Sequence, residues 1–286
     1  MRSLWLIVPL CVVAACGRRA HESPDAFRWD EEIPPGSTIH LGTVTGRIDV
    51  LPTSGRSARV AGSTQWFGRK DPIHFTWRRD GDDFYVCALW SSGGRCSENM
   101  DHLGSNHSWL DMFSLFKRRP TNVVASLRVW LPEGVKVEAR TMNGSISARG
   151  ATSGVNARTL NGSIDIDKSA GPIEAKGING SIQVSLDSLA PDDEVTLESV
   201  NGSMTAVLPG TLEAEVQLST VNGQVTSDFP ISATGKISPH NLHGQIGESS
   251  REVHLKTVNG NVSLLKQQGP SPAESRAPER APRARS

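Results

Sequence analysis

The chain has 286 residues, and its 30 Lys and Arg balance 30 Asp and Glu, a neutrality that excludes the basic footprint of a nucleic-acid-binding protein. That length suits one large domain or two small ones. Aromatic residues are few and crowded to one side: all seven Trp, the single Tyr and six of seven Phe fall at or before Trp130, with Phe229 alone beyond it. A core of Val, Ile, Leu and Ala suits thin, repeated layers, whereas the Trp- and Phe-rich half suits a thicker sandwich or a cap.

Met1-Arg2-Ser3 is a short basic start, and Leu4 to Ala15 is an apolar run of twelve, too short to span a bilayer. It ends in Val13-Ala14-Ala15-Cys16, which resembles the lipobox cut by the lipoprotein signal peptidase. Residues 1–15 are therefore expected as a signal peptide and Cys16 as the lipidated residue. Several acyl chains on one cysteine anchor durably where one is marginal. Gly17 offers no acidic inner-membrane retention signal, so the expected address is the outer membrane, facing the periplasm or the outside. The polar, Pro-containing stretch that follows predicts a flexible tether over 16–35.

A repetitive β domain is expected over 36–266. Its first trace is Thr43-Val-Thr-Gly-Arg-Ile-Asp-Val50, followed by longer strands at Phe75 to Arg78, Phe84 to Trp90 and Val123 to Leu131. Cys87 and Cys96 flank a Gly-Gly turn, and in an oxidising envelope they predict a local disulfide. A zinc site there would need more ligands than nearby His102 and His107 supply. Residues 91–122 form a polar insertion containing His107-Ser-Trp-Leu-Asp-Met-Phe-Ser-Leu-Phe116 and the basic Lys117-Arg-Arg-Pro120. It reads as a cap over an open sheet end, as a membrane- or partner-binding element, or as both.

Beyond Trp130 the text repeats: Thr141-Met-Asn-Gly-Ser-Ile146, Thr159-Leu-Asn-Gly-Ser-Ile164, Gly177-Ile-Asn-Gly-Ser-Ile182, Ser199-Val-Asn-Gly-Ser-Met204, Thr220-Val-Asn-Gly-Gln-Val225, Asn241-Leu-His-Gly-Gln-Ile246 and Thr257-Val-Asn-Gly-Asn-Val262. Asn143, Asn161, Asn179, Asn201, Asn222 and Asn259, with His243 standing in once, are spaced by 18, 18, 22, 21, 21 and 16 residues. Apolar and polar residues alternate around each copy, the mark of strands with one buried face. Asn-Gly tolerates left-handed backbone, so it serves either as a type I′ hairpin turn or as the corner of a coil, where stacked Asn side chains bond along the axis. The period favours an all-β fold: a single-stranded β-helix or solenoid-like stack of short strands with Asn-Gly corners, N-terminal strands and the inserted excursion. An antiparallel meander or sandwich is the alternative. Residues 267–286, rich in Gln, Pro, Ala, Ser, Arg and Glu, predict a disordered tail.

The stretch Ala125-Ser-Leu-Arg-Val-Trp-Leu-Pro-Glu-Gly-Val-Lys-Val-Glu-Ala-Arg-Thr-Met-Asn-Gly-Ser-Ile146 resembles the bacterial putative-adhesin family, a domain of unassigned function found in repetitive, β-helix-like envelope proteins. The resemblance spans roughly 40–266 apart from the insertion. It implies a fold and brings no catalytic residues.

Some β-helices are polysaccharide lyases or hydrolases that carry acid/base groups on an outer sheet. Asp165, Asp167, Asp187, Asp192 and Asp193 are the available carboxylates, and none recurs at one place in the repeat. The Gly-rich calcium nonapeptide is missing around Asp165 and Asp167, and His240, His243 and His254 read as turn or surface residues. The Asn-Gly-Ser copies match a glycosylation sequon but are explained as turns. No catalytic, cofactor or metal site is expected, and no nucleic-acid partner. The expected role is a non-enzymatic envelope lipoprotein that presents a polar β-surface for adhesion or scaffolding to a glycan, a cell-wall component or an envelope protein. A carbohydrate-active enzyme and an accessory of a membrane stress sensor are the alternatives.

Overall fold

A computed structural model describes residues 20–69, 72–89, 96, 122–233, 238–248 and 251–267. Around each Asn-Gly the chain makes one strand, turns a corner, and makes a second strand in a different sheet. Val155–Asn161 and Ile164–Ala170 form such a pair, as do Ile173–Asn179 and Ile182–Ser188. Repetition of this step builds two sheets face to face.

In spatial order the first sheet has ten strands among the described residues: His21–Glu32, Ser57–Trp66, Val123–Leu131, Ile48–Pro52, Ile146–Arg149, Ile164–Ala170, Ile182–Ser188, Met204–Leu208, Val262–Lys266 and Val225–Ser227. The second has eleven: Ser232–Ala233, Asn241–Ile246, Ala214–Ser219, Glu252–Lys256, Val195–Glu198, Ile173–Asn179, Val155–Asn161, Lys136–Asn143, Thr38–Thr45, Asp83–Leu89 and His74–Asp80. The fold is all-β, with parallel strands through its middle, as the repeat predicts.

Register is set by what faces inward. Ile48, Ile146, Ile164, Ile182, Met204, Val262 and Val225 stack across the first sheet. Opposite them, Leu41, Ala139, Ala157, Ala175, Leu197, Leu255 and Leu218 stack across the second. A one-residue slip would turn each of these columns to solvent, so the alternating sequence fixes the pairing. The small residues Ala139, Ala157 and Ala175 line part of one wall, in the aromatic-poor half of the chain.

The corners divide their work among three positions. The Asn side chains form a continuous ladder, each Nδ2 donating to the next Oδ1: Asn161 to Asn143 at 2.8 Å, Asn179 to Asn161 at 2.8 Å, Asn201 to Asn179 at 2.9 Å, Asn259 to Asn201 at 2.7 Å and Asn222 to Asn259 at 2.7 Å. Beside them the glycines stack so closely that a Cβ on Gly162 or Gly180 would overlap the carbonyl of the glycine one rung away. Two residues before the Asn, the Thr141, Thr159, Thr220 and Thr257 hydroxyls donate across the stack to the carbonyls of Gly46, Gly144, Gly260 and Gly202.

Three features differ from the sequence expectation. First, left-handed backbone at the corners belongs to glycine, with φ of 152° at Gly162 and 137° at Gly180. Lys168 alone among described non-glycine residues has a positive φ, so Asn is placed there for its side-chain amide and not for its backbone tolerance.

Second, rungs do not stack in chain order. The final one, Glu252–Lys256 and Val262–Lys266, lies between the rungs of Asn201 and Asn222. The degenerate sixth copy is not a rung: Asn241–Ile246 runs antiparallel to Ala214–Ser219, which removes His243 from the Asn column. His240 instead closes that column, its Nδ1 donating to the carbonyl of Gly223 at 2.7 Å.

Third, the expected tether contains structure. His21–Glu32 pairs antiparallel with Ser57–Trp66 as an edge strand, because Trp29 and Phe27 have apolar partners to pack against. The aromatic half closes one end of the stack, the capping role its composition suggested: Phe27 lies on Phe75 with ring centroids 5.3 Å apart, and Trp29 meets Trp77 at 5.9 Å and Phe84 at 6.0 Å. Cys87 and Cys96, both buried, are joined in a disulfide with a Cα separation of 5.6 Å. The signal peptide, Cys16, the rest of the insertion from 91 to 121, and the tail from 268 onward lie outside the described residues.

Candidate functional site

On the strand Val123–Leu131, the odd-numbered residues Val123, Ala125, Leu127, Val129 and Leu131 are buried, and the even-numbered ones face outward. Trp130 is thus an indole on the solvent side of the first sheet. Its neighbours in register are Arg59 on one side and Leu51 on the other, and the Arg59 guanidinium lies 5.9 Å from the indole centroid.

A groove of about 740 Å³ opens beside it. Ala61, Ser63 and Ser126 contribute small side chains to its lining. The wall on the other side is the edge strand His21–Glu32, whose register breaks between Ser23 and Phe27, around Pro24 and Asp25. Bulges of this kind re-aim side chains at the edges of sheets. Arg28 donates to Asp25 at 2.7 Å, Arg59 to Asp30 at 3.4 Å, and Arg47 reaches Asp49 at 3.6 Å. Arg128 is exposed, and among the described residues no carboxylate pairs with it. One concave site therefore offers an aromatic face, cationic donors, anionic acceptors and hydroxyls. Such a set matches a polyol whose hydroxyls both donate and accept, with a C–H face to lie on an indole.

The outer face of the second sheet carries a charged belt. Glu138 accepts from His40 Nδ1 at 3.0 Å and from Arg140 at 3.0 Å. His40 stacks on Tyr85 with ring centroids 4.3 Å apart, and Arg78 covers Tyr85 at 3.9 Å. Further along, Glu174 pairs with Arg158 at 3.0 Å and with Lys176 at 2.9 Å, and Lys176 reaches Glu198 at 3.3 Å. The His40 hydrogen bond, against the opposing effect of burial and with help from Arg140, holds the Glu138 carboxyl below its ordinary value of 4.5. For Glu174, burial pushes upward, but the bonds and charges of Lys176 and Arg158 outweigh it and lower the pKa. For Lys176, burial is likewise outweighed, by Glu174 and Glu198, and the pKa is raised.

Of the acidic residues weighed as catalysts, Asp165 and Asp167 share the outward face of one strand. Asp165 has Ser147 and Gln183 beside it, and Asp167 has Arg149. Asp193 accepts from the amide of Ala190 at 2.6 Å within a turn, and Asp187 accepts from Gln267. His243 Nε2 bonds Glu215 at 2.9 Å, and Gln217 stands between His243 and His254, while His240 sits at the corner column. Sequence reasoning passed over the groove. The available signal was parity, a Trp on the polar phase of an otherwise regular alternation.

A two-sheet stack of Asn-Gly-cornered rungs, with polar outer faces and an aromatic end, is a β-solenoid-like architecture. Residues 124–265 match the family described as Toastrack DUF4097, a family of unassigned function. Two solved structures are similar. One, described as a "putative cell adhesion protein" from Clostridium sporogenes, has 12% identity and a TM-score of 0.45, covering 84% of this chain and 99% of the other. The second, a "putative adhesin" from Bacteroides fragilis, has 9% identity and a TM-score of 0.26, covering 88% of this chain and 98% of the other. No curated protein matches the chain.

Proposed function

We propose that this protein is a non-enzymatic, lipid-anchored envelope protein that binds a glycan in the groove beside Trp130. The observation that carries the reading is the groove itself. An indole on the solvent side of a sheet, small side chains beside it, and Arg–Asp pairs around it form a sugar-binding arrangement. Asp165 and Asp167 share the outward face of one strand, but they lie three strands from the one that carries Trp130, outside the groove. Lipid on Cys16 would hold the domain at a membrane, with the outer membrane as the expected site.

Tryptophan fluorescence during titration with purified cell-wall and surface glycans tests this reading, with reaction products assayed in parallel. Saturable binding, weakened about tenfold or more by Arg59→Ala without loss of the folded state, is expected. Unaltered binding by Arg59→Ala would place the ligand elsewhere, and released oligosaccharide would make the protein an enzyme. Cell fractionation tests the anchor: Cys16→Ser should move the protein from the membrane to the soluble fraction.

A further inference from the structure

The groove is not closed at its far side. The register that places Arg28, Ala61 and Arg128 in one outward row continues without interruption through Asp49, Ser147, Asp165, Gln183, Thr205, Ser263 and Thr226. From the strand Val123–Leu131, which lines the groove, to the edge strand Val225–Ser227 there are eight strands, hence about 34 Å at the usual spacing between neighbours. Every position of the row beyond the groove is a hydroxyl, a carboxylate or an amide, and none carries a cation or a bulky apolar group.

The adjoining positions at the corners extend this character. Ser145, Ser163, Ser181 and Ser203 follow the corner glycines in consecutive rungs, and Ser163 Oγ donates to Ser145 Oγ at 3.2 Å. At the far end Thr226 Oγ1 donates to Ser263 Oγ at 3.0 Å. This row, with the serines beside it, is therefore a straight polar track, one or two hydrogen-bonding groups per strand, leading out of the groove along the stack; the next outward row, which holds Trp130, carries Leu51, Arg149, Val207 and Leu265 instead. The second sheet has no equivalent. Its outer rows are occupied by the Glu138, Arg140, Arg158, Glu174, Lys176 and Glu198 ion pairs, which bond one another.

We propose that the ligand is a linear, uncharged polysaccharide that seats one sugar against Trp130 and lies along this track, crossing the strands as far as Ser263 and Thr226. This inference rests on the groove reading and adds the polymer's length and direction to it. A track of evenly spaced weak contacts suits a repeating polymer, because each further unit meets the same kind of partner one strand on, and the units share a single cost of association. A short ligand or a terminal sugar would use the groove alone.

The test compares oligomers of glucose and of N-acetylglucosamine, two and eight units long, on the full chain in detergent. Wild type is expected to bind the eight-unit oligomer of at least one series about tenfold or more tighter than its two-unit counterpart. Thr205→Lys and, separately, Gln183→Lys place a long cation in mid-track, far from Trp130. Each should remove the gain from length and leave two-unit binding unchanged, while Thr196→Lys on the opposite sheet should change neither. Equal affinity for both lengths, or a length gain that survives both track variants, overturns the track and leaves the groove standing. If neither length of either series binds, the groove reading itself falls.

Discussion

Asn179 and Gly180 sit side by side at one corner and fail in different ways when replaced. Asn179 both donates to Asn161 and accepts from Asn201, so Asn179→Val breaks the ladder at two places on a solvent-exposed edge. A loss of about 1 kcal/mol in denaturant unfolding is expected. Gly180 has a φ of 137° and lies against the carbonyl of Gly162, so Gly180→Ala combines backbone strain with a backbone clash. That change should cost more, about 2 to 3 kcal/mol. Equal losses from the two variants would contradict this division of labour. Acid provides a second test at the same scale. Glu138 and Glu174 have folded pKa values below their ordinary 4.5, so the unfolded chain takes up protons first as the pH drops. Their contribution is present above about pH 4.5 and is lost as the pH falls through the folded values. Lys176 is raised, so its contribution is present below its ordinary 10.5 and is lost as pH rises through the folded value. Glu138→Gln should therefore flatten the acid limb of a melting-temperature profile, and an acid limb unchanged in that variant would remove Glu138 from the account.

For single elements, the informative case is the last rung. A solenoid read in chain order ends at Thr257 to Val262, where a large-to-small change in the core would fray only a terminus. Here Leu255 is fully buried between Leu197 and Leu218, and Asn259 joins Asn201 to Asn222. Leu255→Ala is accordingly expected to cost about 2 to 5 kcal/mol, and the amides of Val253 and Leu255 to exchange as slowly as those of Ala157. Fast exchange there would restore chain-order stacking. The sequence revealed the rung itself, because Asn, Gly and the alternating apolar residues are local requirements of a strand-corner-strand unit. It did not reveal the insertion, since Val253, Leu255 and Val262 satisfy an interior slot and a terminal one equally well. His21–Glu32 escaped for a related reason: its charged outer edge has the composition of a tether, and only Phe27 and Trp29 mark the buried side. Cys87 and Cys96 were legible from spacing and compartment, and the joined pair predicts one linked peptide in unreduced mass spectra, where two free thiols would refute it.

The whole molecule is an elongated two-faced stack whose faces differ in kind. On one, partly buried ion pairs satisfy each other and leave few donors for a ligand. On the other, a row of hydroxyls, carboxylates and an amide ends in an aromatic groove. The proposed glycan site lies on this second face, and it was less legible than the fold because the groove is assembled from residues far apart in the chain. Arg28, Arg59 and Trp130 come from three separate strands and meet only through the antiparallel pairing at the aromatic end. The most direct measurement is the affinity of wild type and Trp130→Ala for a linear envelope glycan, read by calorimetry on samples of matched melting temperature. The account predicts saturable binding by wild type that weakens about tenfold or more in Trp130→Ala, with no cleavage products. Undiminished binding by Trp130→Ala, or cleavage of the glycan, would contradict it.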